Sequence, residues 1–169
     1  DDKDGFIGNN YLMYSFVSLL VCSGLMFFNK ILASFLYKGE YFIAWRCVPF
    51  LLLGTVFCGL SQFEGSLFAA TKNTKMVAKT TVIGATINTF FNFVLIYFMG
   101  SIGAALATLL GYMVTWVLRT ILMQSFIRMR VDWSRHFFSI FLVCVQAILA
   151  TFGNYFYYQL LILMVLIIS

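Results

Sequence analysis

The stretch IGAALATLLGYMVTWVLRTILMQSF, from Ile102 to Phe126, contains a single charged residue, Arg119. A helix needs about 20 predominantly apolar residues to cross a bilayer core, so this stretch predicts a transmembrane helix. The whole chain of 169 residues has the same character, because 62% of it is hydrophobic and only 10% is charged. The composition excludes an ordinary soluble enzyme, a disordered tail and a disulfide scaffold. Long apolar runs lack the alternation of transmembrane strands, so the predicted fold class is all-α, a polytopic transmembrane helix bundle.

About six such spans are predicted, joined by short links that make consecutive helices antiparallel. The chain starts without Met and stops inside the apolar run 160–168. We therefore expect a single transmembrane domain, 1–169, that is a fragment of a longer protein with its last helix truncated; a blunt natural C-terminus is the alternative. The predicted spans are Tyr11–Leu36, Phe42–Ala70, Lys79–Met99, Ile102–Phe126, Phe137–Phe152 and Tyr155–Ser169.

Basic residues between the spans predict the orientation. Lysines cluster in segment 71–79 and arginines in segment 124–136, and both segments follow an even number of spans. Both therefore lie on one side, which the positive-inside rule assigns to the cytoplasm. The links 37–41, 100–101 and 153–154 then face outward. The net charge of +5 is thus a topology signal, and the chain offers no soluble basic face for nucleic acid.

Residues typical of enzymes are scarce. The four cysteines, Cys22, Cys47, Cys58 and Cys144, are scattered through apolar spans without metal-ligand spacing. The only histidine, His136, follows Arg135 at a span boundary, where we expect an interface residue. The sequence shows no nucleophile elbow, phosphate loop or carboxylate pair at helical spacing. It therefore predicts no catalytic residue, no metal site and no cofactor.

Four charged residues fall at membrane depth: Lys30, Arg46, Glu64 and Arg119. Each costs roughly 2.5–3.5 kcal/mol at a helix centre on insertion scales, and such residues usually face a bundle interior or a water-filled cavity. Lys30 and Arg46 either line a cavity or reach the outer interface. Arg119 offers a planar fork of donors that suits phosphate, or else it extends toward the inner surface. Glu64 is a candidate for proton or cation coupling, or else a structural partner for the nearby lysine segment.

Two further patterns concern the third and fourth spans. Gly103, Ala107 and Gly111 recur every four residues, and such a row of small residues lets a neighbouring helix approach closely. Asn88 and Asn92 stand four residues apart on one helix face. Because amides in lipid need partners, we expect them to join helices or to line a cavity.

The sequence from Ser61 to Leu122 resembles a known family. It reads EGSLFAATKNTK at 64–75, INTFFNFVLI at 87–96 and GSIGAALAT at 100–108. These motifs are similar to the C-terminal lobe of O-antigen-type polysaccharide flippases of the multidrug/oligosaccharidyl-lipid/polysaccharide exporter superfamily. The similarity extends over most of the chain from about Ala33 to Arg130, although Thr71 stands where the pattern often has Gly.

The resemblance implies part of the second lobe of a two-lobe transporter. Such a protein moves an undecaprenyl-pyrophosphate-linked oligosaccharide, for instance a lipopolysaccharide O-antigen unit, across the bacterial inner membrane by alternating access. The implied partners are that lipid-linked substrate, membrane lipids and the polysaccharide polymerase machinery. On physical grounds alone, the substrate-binding candidates are Lys30, Arg46, Arg119, Asn88 and Asn92.

Two other functions remain open. A drug/cation antiporter of the same superfamily would need carboxylates in its cavity, and only Glu64 is offered. A non-transporting membrane scaffold would explain the spans and the small-residue packing but not charges at membrane depth. Three cations against one carboxylate favour an anionic cargo and hence the flippase.

Overall fold

The structure, a computed structural model, describes residues 5–36, 44–126, 131–152 and 156–168. Within these residues, five helices are long and apolar enough to cross a membrane, and the sixth has 13 residues. The predicted all-α bundle of transmembrane helices is therefore confirmed. The helices are α1 (Phe6–Leu36), α2 (Val48–Ala70), α3 (Thr74–Met99), α4 (Ser101–Phe126), α5 (Trp133–Phe152) and α6 (Phe156–Ile168).

Helix α4 joins the two sides of the bundle. It packs against α3 on one side and α2 on the other, while α2 also packs against α1 and α5. Helix α6 lies against α5 and α1. The inward face of α2 buries Phe50, Leu53 and Phe57, and the Phe57 ring lies 5.2 Å from that of Trp116 on α4. This face leads down α2 to Glu64, which is also buried.

Glycines bring α3 and α4 into close contact. A Cβ atom at Gly111 would lie 2.7 Å from the Cβ of Asn88, and one at Gly103 would collide with the α3 backbone. From the other side, a Cβ at Gly84 would collide with a threonine of α4, and Ala107 is completely buried. Any larger side chain at these glycines would push the two helices apart.

Helices α1, α3 and α5 begin four or five residues earlier than their predicted spans. Helix α3 starts at Thr74 rather than Lys79, and α5 starts at Trp133 rather than Phe137. The predicted boundaries left polar residues outside the helices. Lys75 and Arg135, in the first turns of α3 and α5, are exposed and keep their charges outside the apolar core, whereas His136 in the first turn of α5 is buried.

Several predicted features lie outside the described residues. These are the N-terminal residues 1–4, the outward links 37–41 and 153–154, and the arginines Arg128 and Arg130. The second basic segment is described from residue 131 onward. There Arg135 Nε lies 3.4 Å from an Asp132 carboxylate oxygen, in a pair exposed to solvent.

Candidate functional site

A cavity of about 510 Å³ lies between α2, α3 and α4. Its volume falls in the range of roughly 300–1,000 Å³ that is typical of ligand sites. The lining combines hydroxyls, amides, small residues and one aromatic ring, and its one charged side chain among the described residues is Arg119. The lining residues are Cys58, Ser61 and Gln62 from α2, Thr81, Gly84, Ala85, Asn88 and Thr89 from α3, and Thr108, Gly111, Tyr112, Thr115 and Arg119 from α4.

Arg119 is 5% exposed and ties the three helices together. Its Nη1 donates to the Ser61 carbonyl of α2 at 2.5 Å, and its Nε donates to the Thr80 hydroxyl of α3 at 3.0 Å. Its Nη2 donates to the Thr81 hydroxyl at 2.9 Å and to the Val77 carbonyl at 3.4 Å. A guanidinium has five N–H donors, so four hydrogen bonds to protein oxygens leave it one.

The local sequence explains how Arg119 reaches this position. Thr108, Gly111 and Thr115 precede it at spacings of three and four residues, so all four share one face of α4. All four line the cavity. On α2, Gly65 leaves room for the guanidinium, because a Cβ there would lie 2.9 Å from Arg119 Nη1.

The two asparagines of α3 bond to each other rather than to another helix. The Asn92 Nδ2 donates to the Asn88 side-chain oxygen at 2.9 Å and to the Asn88 carbonyl at 3.0 Å. Asn88 lines the same cavity as Arg119, whereas Asn92 lies further along α3, in a shallow groove with Phe93 and Tyr97. Of the two alternatives for Asn88, the structure places it at the cavity.

Glu64 lies in a separate buried cluster between α1, α2 and α4. Its carboxyl is fully buried and accepts a hydrogen bond from the Thr120 hydroxyl at 2.7 Å. The Tyr11 hydroxyl lies beside the carboxyl and accepts a hydrogen bond from Trp116 Nε1 at 2.8 Å. Within the described residues the Oε2 atom has no hydrogen-bond partner, and no ion pair joins Glu64 to Arg119 or to the lysine segment.

His136 borders this cluster and is buried in the first turn of α5, and its position at the depth of the membrane interface stays a prediction. It is only 4% exposed, its Nδ1 lies 3.1 Å from the Ser15 hydroxyl, and its ring lies 5.5 Å from that of Tyr11. The first turn of α5 packs against α1, which the position of His136 next to a charged residue did not reveal. Further along the same helix pair, Ser23 and Gln146 exchange two hydrogen bonds, of 2.6 and 3.0 Å.

The remaining two cations lie away from the cavity, beside Trp45. The Lys30 Nζ lies 4.6 Å from the centroid of the Trp45 ring, and the Arg46 guanidinium lies 5.6 Å from it. Both side chains are exposed, and Arg46 stands in a short turn just before α2 rather than in the helix. The backbone here is anchored by Asn29, which donates to the Trp45 carbonyl at 2.8 Å, and by Thr151, which donates to the Arg46 carbonyl at 3.3 Å.

The structure therefore divides the candidate residues into three groups. Arg119 and Asn88 line the same cavity, Glu64 lies in the adjacent cluster, and Lys30 and Arg46 lie beside Trp45, away from the cavity. Sequence reasoning missed the cavity residues Gln62, Tyr112 and Thr81. Their signal was weak, because uncharged polar residues are common in transmembrane helices and only the packing of α2, α3 and α4 brings them together.

A bundle of helices that can span a membrane, with a cavity between three of them, defines a multi-pass membrane protein. The chain belongs to the polysaccharide biosynthesis protein family, whose model matches residues 1–167. It is also similar to an uncharacterized membrane protein of Methanocaldococcus jannaschii, with 27% identity over 106 residues. That match covers 62% of this chain but only 21% of the relative, so the chain spans a small part of the relative's length. No solved structure matches the chain.

Proposed function

We propose that this chain is part of a transporter that moves a lipid-linked oligosaccharide across the membrane, with the cavity between α2, α3 and α4 on the path of the cargo. The observation that carries the proposal is this cavity itself, a hydrogen-bonding site between membrane-spanning helices in a chain of the polysaccharide biosynthesis family. Polar groups at membrane depth are costly and mark substrate pathways. The family and the membrane fold favour transport over catalysis.

The proposed cargo carries an undecaprenyl pyrophosphate, and the proposed membrane is the bacterial inner membrane, with segments 71–79 and 124–136 in the cytoplasm. The polysaccharide polymerase machinery would then receive the transported unit on the outer side. Movement by alternating access would expose the cavity to each side in turn. Lys30 and Arg46, which both lie beside Trp45 at the end that this orientation would place outside, are proposed to attract the anionic part of the cargo.

Arg119 favours this cargo over the cations of a drug antiporter. It is the one charged side chain among the described residues that line the cavity, and it is positive. A cationic ligand would be repelled by that charge in a medium of low dielectric constant. A scaffold without transport would have no use for a cavity in which hydroxyls and amides are collected at membrane depth.

The test is to fill the cavity without disturbing its walls. Ala85 lines the cavity from an exposed position on α3, so Ala85→Phe adds a ring there without displacing a buried neighbour. In cells that depend on the full-length protein, this variant is expected to abolish surface polysaccharide while the protein remains in the membrane. The matched control is Thr86→Phe at the next exposed position, which does not line the cavity. Normal polysaccharide with Ala85→Phe would refute the proposal.

A further inference from the structure

We infer that the cavity between α2, α3 and α4 binds the neutral, hydroxyl-bearing sugar part of the cargo and does not bind its phosphate groups. This inference rests on the proposed function and adds to it the chemical group that the cavity recognises. Three properties of the lining lead to it. The threonine hydroxyls donate their hydrogen bonds to backbone carbonyls, most N–H donors of Arg119 are already bonded, and amides lie together with an aromatic ring.

The threonine hydroxyls of the lining already use their protons in hydrogen bonds within their own helices. Thr81, Thr89, Thr108 and Thr115 each donate to the backbone carbonyl four residues earlier in their own helix, at 2.8, 2.9, 3.0 and 2.9 Å. A carbonyl only accepts, so in each pair the hydroxyl must be the donor. What the hydroxyls offer a ligand is therefore their oxygen lone pairs.

A lining of acceptors selects ligands that can donate. A sugar hydroxyl has a proton to give to a threonine oxygen, whereas an ionised phosphate has none and would set its lone pairs against those of the threonines. The charge of Arg119 attracts an anion, but four of its five donors are bonded to Ser61, Val77, Thr80 and Thr81, so it has one N–H left for a phosphate. Its positive charge at the same time disfavours an ammonium ligand, which would otherwise suit a wall of acceptors.

The remaining groups fit a sugar as well. The Asn88 side-chain oxygen is occupied by Asn92, which leaves its amide N–H₂ group as a donor. The Gln62 amide N–H₂ group donates to the Cys58 sulfur at 3.2 Å, which leaves its oxygen as an acceptor. The ring of Tyr112 is 39% exposed and offers an apolar face to the C–H side of a sugar ring.

Cys58 lines the cavity and provides a native reporter. In the full-length protein, the other cysteines are replaced by alanine so that Cys58 alone reacts with N-ethylmaleimide in vesicles. Octyl maltoside, octyl phosphate and octyltrimethylammonium are then added at equal mole fractions in the membrane. The control chain carries its single cysteine through Ile148→Cys, an exposed position on α5 that does not line the cavity and reports general effects of each amphiphile on the bilayer.

Octyl maltoside is expected to slow the labelling of Cys58, relative to the control, by at least about three-fold. A few net hydrogen bonds between the sugar and the lining supply enough binding free energy for an effect of this size. The other two amphiphiles are expected to change it little. Protection by octyl phosphate equal to or greater than that by octyl maltoside would overturn the inference. Equal labelling with and without the maltoside would overturn it as well.

A pair of substitutions checks which atoms are responsible. Thr89→Val and Thr108→Val remove a lining oxygen at constant shape, and each lost hydroxyl donates only within its own helix, so the fold is retained. Each is expected to raise the mole fraction of maltoside that gives half-maximal protection by about five-fold. Thr86→Val is the control, because its hydroxyl bonds in the same way, to the Val82 carbonyl at 2.9 Å, but does not line the cavity. Undiminished protection in both lining variants would contradict the assignment.

Failure of this inference differs from failure of the proposed function. If Ala85→Phe blocks export but octyl phosphate protects Cys58 best, the cavity carries the cargo and the assignment to sugar is wrong. If octyl maltoside protects Cys58 while Ala85→Phe exports normally, the cavity binds sugar but is not on the transport path.

Discussion

Arg119 and Glu64 are both buried charged residues in neighbouring parts of the bundle, yet their surroundings differ. Arg119 makes four hydrogen bonds to oxygens of α2 and α3, which are all neutral acceptors. Glu64 accepts one hydrogen bond from Thr120, and its second oxygen has no hydrogen-bond partner within the described residues. A buried polar group that lacks a partner is costly. Four of the five arginine donors are therefore paired, while one of the two carboxyl oxygens of Glu64 is not.

The largest expected loss of stability comes from removing the Arg119 side chain. Arg119→Ala leaves carbonyls and hydroxyls of two helices without a donor, so we expect a loss of at least about 3 kcal/mol in stability. Arg135→Ala is the matched control, because its ion pair is exposed and contributes only about 0–1 kcal/mol. Thermal unfolding of the full-length protein in detergent measures both. Similar melting temperatures for the two variants would show that Arg119 does not hold the helices together.

The next effect concerns the close contact that brings α3 to Arg119. Gly84→Ala would collide with Thr115 and is expected to destabilise the protein by about 1–3 kcal/mol. Gly24→Ala has nothing within 4 Å of the new Cβ and should instead stabilise α1 by up to about 1 kcal/mol. The two substitutions are chemically identical, so the sign of the difference in melting temperature is the measurement. A stabilising Gly84→Ala would mean that α3 and α4 are not in tight contact there.

Substitution of Glu64 is expected to change stability less than the two substitutions above but to change transport more. Glu64→Gln keeps an oxygen for the Thr120 hydroxyl and loses only the ability to carry a proton. We expect a change in stability within about 1 kcal/mol, since replacing a buried ionisable group by a neutral one is often tolerated. If Glu64 couples transport to protons, export driven by a pH gradient is impaired in this variant. Normal gradient-driven export would reject a coupling role.

The substitution that is expected to perturb the protein least tests the predicted orientation of the chain in the membrane. Asn73 lies between α2 and α3 in the lysine segment, and Asn73→Cys in a chain without other cysteines is expected to leave the fold and export unchanged. An impermeant thiol reagent should label it from the cytoplasmic side alone. Labelling from outside would invert the predicted topology and move both buried charges toward the outer surface.

The sequence predicted the helices better than it predicted the site. The ends of α2 and α3 match the predicted spans, at Ala70 and Met99, because apolar runs stop there. The face that Arg119 shares with Thr108 and Thr115 was also predictable, since it depends on the period of a single helix. The partners of Arg119 were not, because they depend on how three helices align with one another.

His136 also shows that contacts between distant helices could not be predicted from the sequence. Its neighbours in sequence are charged and aromatic, which suggested an interface residue, whereas its neighbours in space are Tyr11 and Ser15 of α1. Contacts between helices that are far apart in the chain leave no periodic signal in either helix. The separation of Lys30 and Arg46 from the cavity was hidden for the same reason.

The most direct test of the account is to obstruct the cavity chemically during transport. A chain that retains only Cys58 is reconstituted in vesicles with a lipid-linked oligosaccharide, and the rate at which the lipid crosses the bilayer is measured before and after reaction with a bulky maleimide. We predict that the adduct at Cys58 slows crossing at least about ten-fold, while the same adduct in the Ile148→Cys chain has little effect. Unchanged crossing with Cys58 fully modified would contradict the claim that the cargo passes through this cavity.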